Sequence, residues 1–183
     1  TYQTGVLALE ELKEEFPDAV FFASDTLCAS LGQGLLVDLA LQEQKKGKSI
    51  QEVHAFVEET KGKLCHWFTV DDLGSFAVAG ALLNIKPVLH VDDQGRLVPV
   101  DTVRGRKKSI FALLEHMKDT VTEPESQHVY ISHGDCLEEA EALAQLVKET
   151  CHVPKVTIGY VGPVIGAHSG KGTLALFFLG TAR

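Results

Sequence analysis

"HVYISHGDCLEEAEALAQLVKETCHVPKVTIGYVG", residues 128–162, decides the fold. Its first seven residues, 128–134, read as a strand that ends in a polar turn. "DCLEEAEALAQLVKET", 135–150, reads as a strong helix, with Asp135 as its cap and Glu138 at the capping-box position. "KVTIGYVG", 155–162, is the next strand. Strand, helix and strand in that order belong to an α/β layer.

Outward from there the chain keeps an α/β rhythm but changes its pattern. Downstream, "TLALFFLG", 173–180, is another strand, separated from 155–162 by the glycine-rich "VIGAHSGKGT", 164–173. Upstream, "KKSIFALLEHMKDT", 107–120, is an amphipathic helix, and "NIKPVLHV", "DDQG" and "RLVPV" from 84 to 100 read as a hairpin. The first seventy residues alternate differently. A helix covers 4–16, "AVFFAS" (19–24) suits a buried strand, and a helix follows with Ser30 as N-cap and Gly47 as its end. Ser49 opens a further helix with Glu52 in a capping box, and "KLCHWFTV", 63–70, is a strand. This predicts two α/β lobes, one with a parallel sheet over 1–75 and one with a mixed sheet over 76–183. The join, "FTVDDLGSFAVAGALLNIKPV", has no turn or cap where one is needed.

The net charge of −8 argues against a general nucleic-acid binder, which needs cationic surface to displace counterions. Cys28, Cys65, Cys136 and Cys151 are widely spaced and read as thiols in a reducing cytoplasm. The histidines are scattered and form no metal-type spacing, so neither a metal nor a cofactor is expected.

Four groups of residues carry chemistry. His168 sits among Gly166, Gly170 and Gly172, which let backbone approach a bound group, with Ser169 and Thr173 adding hydroxyls. It suits an anion tip or a catalytic role, against the plainer reading of a surface-loop histidine. The phosphate-loop pattern fails there, because Ile165 and Gly172 occupy two of its fixed positions. Arg104 and Arg106 in "VRGRKK" suit a carboxylate or phosphate, or a partner protein, and the patch to Lys108 opposes a helix dipole. Asp25, Thr26, Ser30 and Gln33 follow a strand, where ligands gather in α/β sheets, though a plain connection explains them equally well. In "SHGDC", His133 and Asp135 form a candidate pair, but capping alone accounts for Asp135.

Taken together, "SDTLCASLGQGLLVDLA" (24–40), "FTVDDL" (68–73), "LNIKPVLHVD" (83–92), "VRGRKKSI" (103–110), "ISHGD" (131–135) and "IGYVGPVIGAHSGKGTLALFF" (158–178) resemble the DegV family, in the family's order. The opening "TYQT" resembles the tail of its S-G-T-Y-Q segment. The resemblance implies two α/β domains enclosing an apolar tunnel that binds one long-chain fatty acid. It implies a carrier without turnover of its own, whose bound carboxylate a partner fatty-acid kinase phosphorylates for phospholipid synthesis, and it leaves peripheral membrane contact open.

The resemblance further places His168 and Ser169 at the head group, Thr1 and Arg104 near it or at the kinase contact, and Gly166, Gly170, Gly172, Ser30 and Gly32 in supporting loops. Phe21, Phe22, Leu35, Leu36, Leu83, Ile85, Val164, Ile165 and Phe177 are candidates for the tunnel wall, with plain core as the default for each. Two departures from the family are expected to reflect missing chain: a lobe before Thr1, and a Gly-Gly-Arg segment between Gly74 and "LNIKP". The competing readings are a hydrolase or transferase built on His168 with Ser169, and a regulatory lipid-sensing module using the Arg104–Lys108 patch.

Overall fold

The computed structural model describes residues 1–71, 84–181 and 183. Helices α1 (Tyr2–Glu15), α2 (Leu31–Lys45) and α3 (Ile50–Thr60) precede strand β1 (Leu64–Thr69). Strands β2 (Ile85–Val91) and β3 (Leu97–Arg104) form the expected hairpin, and helix α4 (Arg106–Thr120) follows. The remainder runs β4 (His128–His133), α5 (Leu137–Cys151), β5 (Lys155–Tyr160), α6 (Pro163–Ser169) and β6 (Leu174–Leu179).

The six strands form one mixed sheet in the order β3-β2-β1-β6-β4-β5. Among the described residues only β4 and β5 pair in parallel, and α5 is the crossover between them. β1 lies antiparallel to β2 and to β6, and all six of its residues are buried. A strand covered on both faces reads as a near-continuous apolar run; "LALFFL" is such a run, and "LCHWFT" is one interrupted by the buried His66 and closed by Thr69.

Alternate residues feed two cores. Leu174, Leu176 and Phe178 face α4 and α5, against Leu113, Met117, Leu143 and Val147. Ala175 and Phe177 face the other way, with Phe68 and Tyr130, toward Leu35 and Leu36 of α2. Asp38 fastens α2 to β4: Tyr130 Oη donates to its Oδ2 at 3.0 Å, and His128 Nδ1 lies 3.1 Å from the same oxygen.

Several expectations need correction. "AVFFAS" forms no strand; Val20 and Phe22 are exposed, and the Phe22 ring stacks on His54 at 4.2 Å. An apolar run without a neighbour to complete its backbone hydrogen bonds gains nothing from an extended form. Among the described residues, β1 is therefore the only strand in 1–71, and no parallel sheet forms there. The expected division at 75/76 and the awkward join lie outside the described residues. The strand just before them is nevertheless central to the same sheet as the strands after them.

The capping box of Ser49 and Glu52 is present. That of Asp135 and Glu138 is not. Cys136 occupies the N-cap of α5, its amide donates to His133 Nδ1 at 3.2 Å, and Asp135 (φ 55°) instead pairs with Lys171 at 2.8 Å.

Candidate functional site

Between the α2-facing side of the sheet and helix α6 lies a cavity of about 210 Å³. The sheet supplies His66 and Phe68 of β1, Ser132 of β4, and Ala175 of β6 with the preceding Thr173. Val161, Ile165, His168 and Ser169 close it from the α6 side. Ala29 and Ser30 before α2 and Leu97 of the hairpin complete the wall. Its surface is mostly carbon, with hydroxyls and two imidazoles at a few points.

The local sequence explains how the polar rim is built. Pro163 opens α6 at its first position, where the missing N–H costs nothing, and "VIGAHS" continues it as a short helix that places His168 on a helix and not in a surface loop. Gly170 and Gly172 then turn the chain at φ 80° and 78°. At Gly172 a side chain is excluded twice over, because a Cβ would also lie 2.4 Å from Asp71 Cβ. Gly172 N donates to Gly134 O at 2.7 Å and Gly134 N to Thr173 O at 2.8 Å, which ties the turn to the end of β4.

The hydroxyl protons can be followed one at a time. Ser169 donates to Ile165 O at 2.9 Å, and Thr173 donates to Gly170 O at 2.7 Å. Ser30 donates to Ser132 at 3.0 Å. Ser169 and Thr173 therefore stabilise the turn, and the His66 imidazole meets Cys28 Sγ through Nδ1.

His66 is buried, with its Nδ1 3.5 Å from Cys28 Sγ and its ring against Phe68 and Phe177. Burial, aided by the Arg183 guanidinium and His90, lowers its pKa to about 3. Burial likewise pushes the Cys28 thiol up to about 11, against the pull of Arg183. The pair is neutral thiol beside neutral imidazole, which is not an activated nucleophile.

The structure brings His168, Ser169 and Ser30 to one cavity, with His168 exposed at its rim. Ser30 holds the N-cap position of α2 as expected, but its side chain reaches to β4 instead of capping. Gly32 serves packing, since a Cβ there would lie 2.1 Å from Cys28 Sγ and 2.8 Å from the Phe177 ring. Gly166 lies within α6 with open space around it, so no close backbone approach depends on it.

Arg104 stands apart, exposed at the end of β3 beside Ile85 and Thr102. Thr1 is exposed at the start of α1 and does not line the cavity. Arg106 is taken up by Glu139, with Nε 2.9 Å from Oε2, and joins α4 to α5. Of the candidate wall residues Ile165 alone lines this cavity; Leu35, Leu36 and Phe177 are core, Phe22 and Val164 are exposed, and Leu83 lies outside the described residues. Thr173 joins His168 as expected, whereas His66, Phe68 and Ser132 were not singled out as its lining. The alternation of "LCHWF" places His66 and Phe68 on one side and is the signal that finds those two.

Among the described residues no cluster of side chains suits a metal ion, and no helix is long and apolar enough to cross a membrane.

A DegV domain-containing protein of Clostridium perfringens is 46% identical over 193 residues, covering 100% of this chain and 66% of its own length. The aligned span exceeds the 183 residues here, so that relative carries insertions within it. A DegV lipid-binding protein of Thermotoga maritima superposes with a TM-score of 0.86 at 28% identity, over 100% of this chain and 65% of its own. A second protein of that organism, described as revealing fatty acid binding function, gives 0.81 at 28% identity, over 97% and 63%. The chain thus spans about two thirds of the length of these relatives. The sequence pattern described as "Uncharacterised protein, DegV family" matches residues 1–181, and on that match, with the fold, this chain belongs to the DegV family.

Proposed function

We propose that this protein is a cytoplasmic carrier that binds a long-chain fatty acid with its chain along Phe68, Ile165 and Ala175 and its carboxylate at the His168 rim. A partner kinase then phosphorylates the exposed carboxylate. The observation that carries the reading is the cavity itself: carbon walls inside, and an exposed imidazole at the edge. Each methylene removed from water contributes about 0.8 kcal/mol. The carboxylate stays near solvent, where its desolvation cost is small and His168 can donate to it.

Two relatives at 28% identity are described as lipid- or fatty-acid-binding, which supports the ligand class. The kinase partner rests on the family resemblance. The hydrolase reading is disfavoured because Ser169 gives its proton to Ile165 O and not to His168. The neutral Cys28–His66 pair offers no substitute.

Mass spectrometry of an organic extract of the purified protein tests this. One fatty acid per chain is the expected result. A protein that neither carries nor takes up any fatty acid overturns the proposal.

A further inference from the structure

Among the described residues His66 and His168 are the two imidazoles that line the cavity, and His66 is the buried one. It lies on β1 opposite Phe177, while Phe68 lies opposite Ala175, nearer the Thr173 end. From Thr173 to the level of Phe177 is four strand residues, about 13 Å along the sheet. His66 therefore flanks the middle of a bound chain and not its head group.

The side chain is about 95% buried. Its Nδ1 faces Cys28 Sγ, and its ring is fixed between Phe68 and Phe177. The second nitrogen, Nε2, has no hydrogen-bond partner among the described residues, although the residue lines the cavity. Nε2 is open to the cavity rather than sealed in the core, and an alkyl chain that fills the cavity excludes water from it and supplies no partner, which is costly. A hydroxyl can both donate and accept, so it satisfies Nε2 in either tautomer.

We infer that His66 makes the site selective for acyl chains with an oxygen substituent near mid-chain, such as a hydroxy fatty acid. The inference rests on the acyl-chain reading above and adds to it the class of chain preferred. Burial keeps the imidazole neutral, so it recognises an uncharged hydroxyl and does not compete for the carboxylate. A site built to pair with a hydroxyl discriminates against the ligand that lacks it, because its own polar group is then left unpaired.

Ricinoleate and oleate differ by one mid-chain hydroxyl and provide the test. Displacement of a fluorescent fatty acid from the delipidated protein should show ricinoleate binding about tenfold more tightly than oleate. His66→Phe should abolish or reverse that preference, read as the ratio of ricinoleate to oleate affinity in the variant against the same ratio in the natural protein. Should the variant fail to fold, ¹⁵N NMR of the His66 ring in the natural protein gives the answer, since ricinoleate but not oleate should shift its Nε2 resonance. Equal or weaker binding of ricinoleate, with oleate bound, overturns this inference alone. Failure of both ligands to bind overturns the acyl-chain reading with it.

Discussion

Cys28 Sγ and His66 Nδ1 meet 3.5 Å apart without forming an ion pair. Burial drives the thiol pKa up and the imidazole pKa down, so each proton stays where the neutral form needs it. The thiolate is the reactive form, and here it is scarce at neutral pH. Cys65 and Cys136 are pushed up as well, to about 12 and about 11, chiefly by burial. Iodoacetamide at neutral pH should therefore label Cys28 far more slowly in the native protein than in urea, as peptide mapping would show. Labelling at the rate of an exposed thiol would contradict the neutral pair.

His66 also gives stability a pH dependence. Its folded pKa of about 3 lies below the ordinary value of 6.5, so between them the unfolded chain binds the extra proton. Stability therefore falls as pH falls through that window, by up to about 1.4 kcal/mol per unit from this group. Urea midpoints at about pH 7 and about pH 5 measure the slope. Carboxylates act in the same direction, so the contribution of His66 is the part that His66→Phe removes.

Gly32→Ala should destabilise the protein by about 1–3 kcal/mol, because the added methyl enters the space of Cys28 Sγ and the Phe177 ring. Combining it with Cys28→Ala should recover part of the loss, the remainder being the clash with Phe177. Thermal denaturation of the single and double variants gives the coupling directly.

The start of α5 separates two neighbouring residues. His133→Ala removes the acceptor for the Cys136 amide and empties a buried site, at a cost of about 2 kcal/mol or more. Asp135→Asn breaks only an exposed pair with Lys171 and keeps a residue that tolerates positive φ, so it should stay within about 0.5 kcal/mol of the natural protein. Equal losses would return the cap to Asp135.

Trp67, the single tryptophan, stacks on His116 with ring centres 3.8 Å apart and planes 6° apart. Burial, opposed by Asp119 and Asp101, lowers the His116 pKa. Tryptophan emission should drop as this imidazole protonates against the indole face, with a midpoint below that of an ordinary histidine. His116→Phe should remove the step.

The sequence made some of this architecture visible and hid the rest for physical reasons. Helices with their own signals were legible, as with the Ser49–Glu52 box. The β4-α5-β5 unit was legible because its periodicity changes sharply at each end. "AVFFAS" misled because a strand needs a neighbour, and the sequence does not say what lies alongside. Asp135 misled because any short polar residue before a helix resembles a cap, while the true acceptor, His133, belongs to the preceding strand.

At the site, His168 announced itself among glycines. His66 did not, since its role depends on β1 lying beside β6, a pairing between segments far apart in sequence. Arg104 looked like ligand chemistry, yet the hairpin carries it away from the cavity.

The pairing of Leu64–Thr69 with Leu174–Leu179 also bears on how the molecule is made. During synthesis β1 leaves the ribosome more than a hundred residues before the strand that completes one of its edges. The middle of the sheet cannot zip up early, and closing so long a loop slows the search for the native arrangement. Until β6 is made, a strand rich in apolar side chains waits without that mate, which leaves the nascent polypeptide open to clumping over that interval.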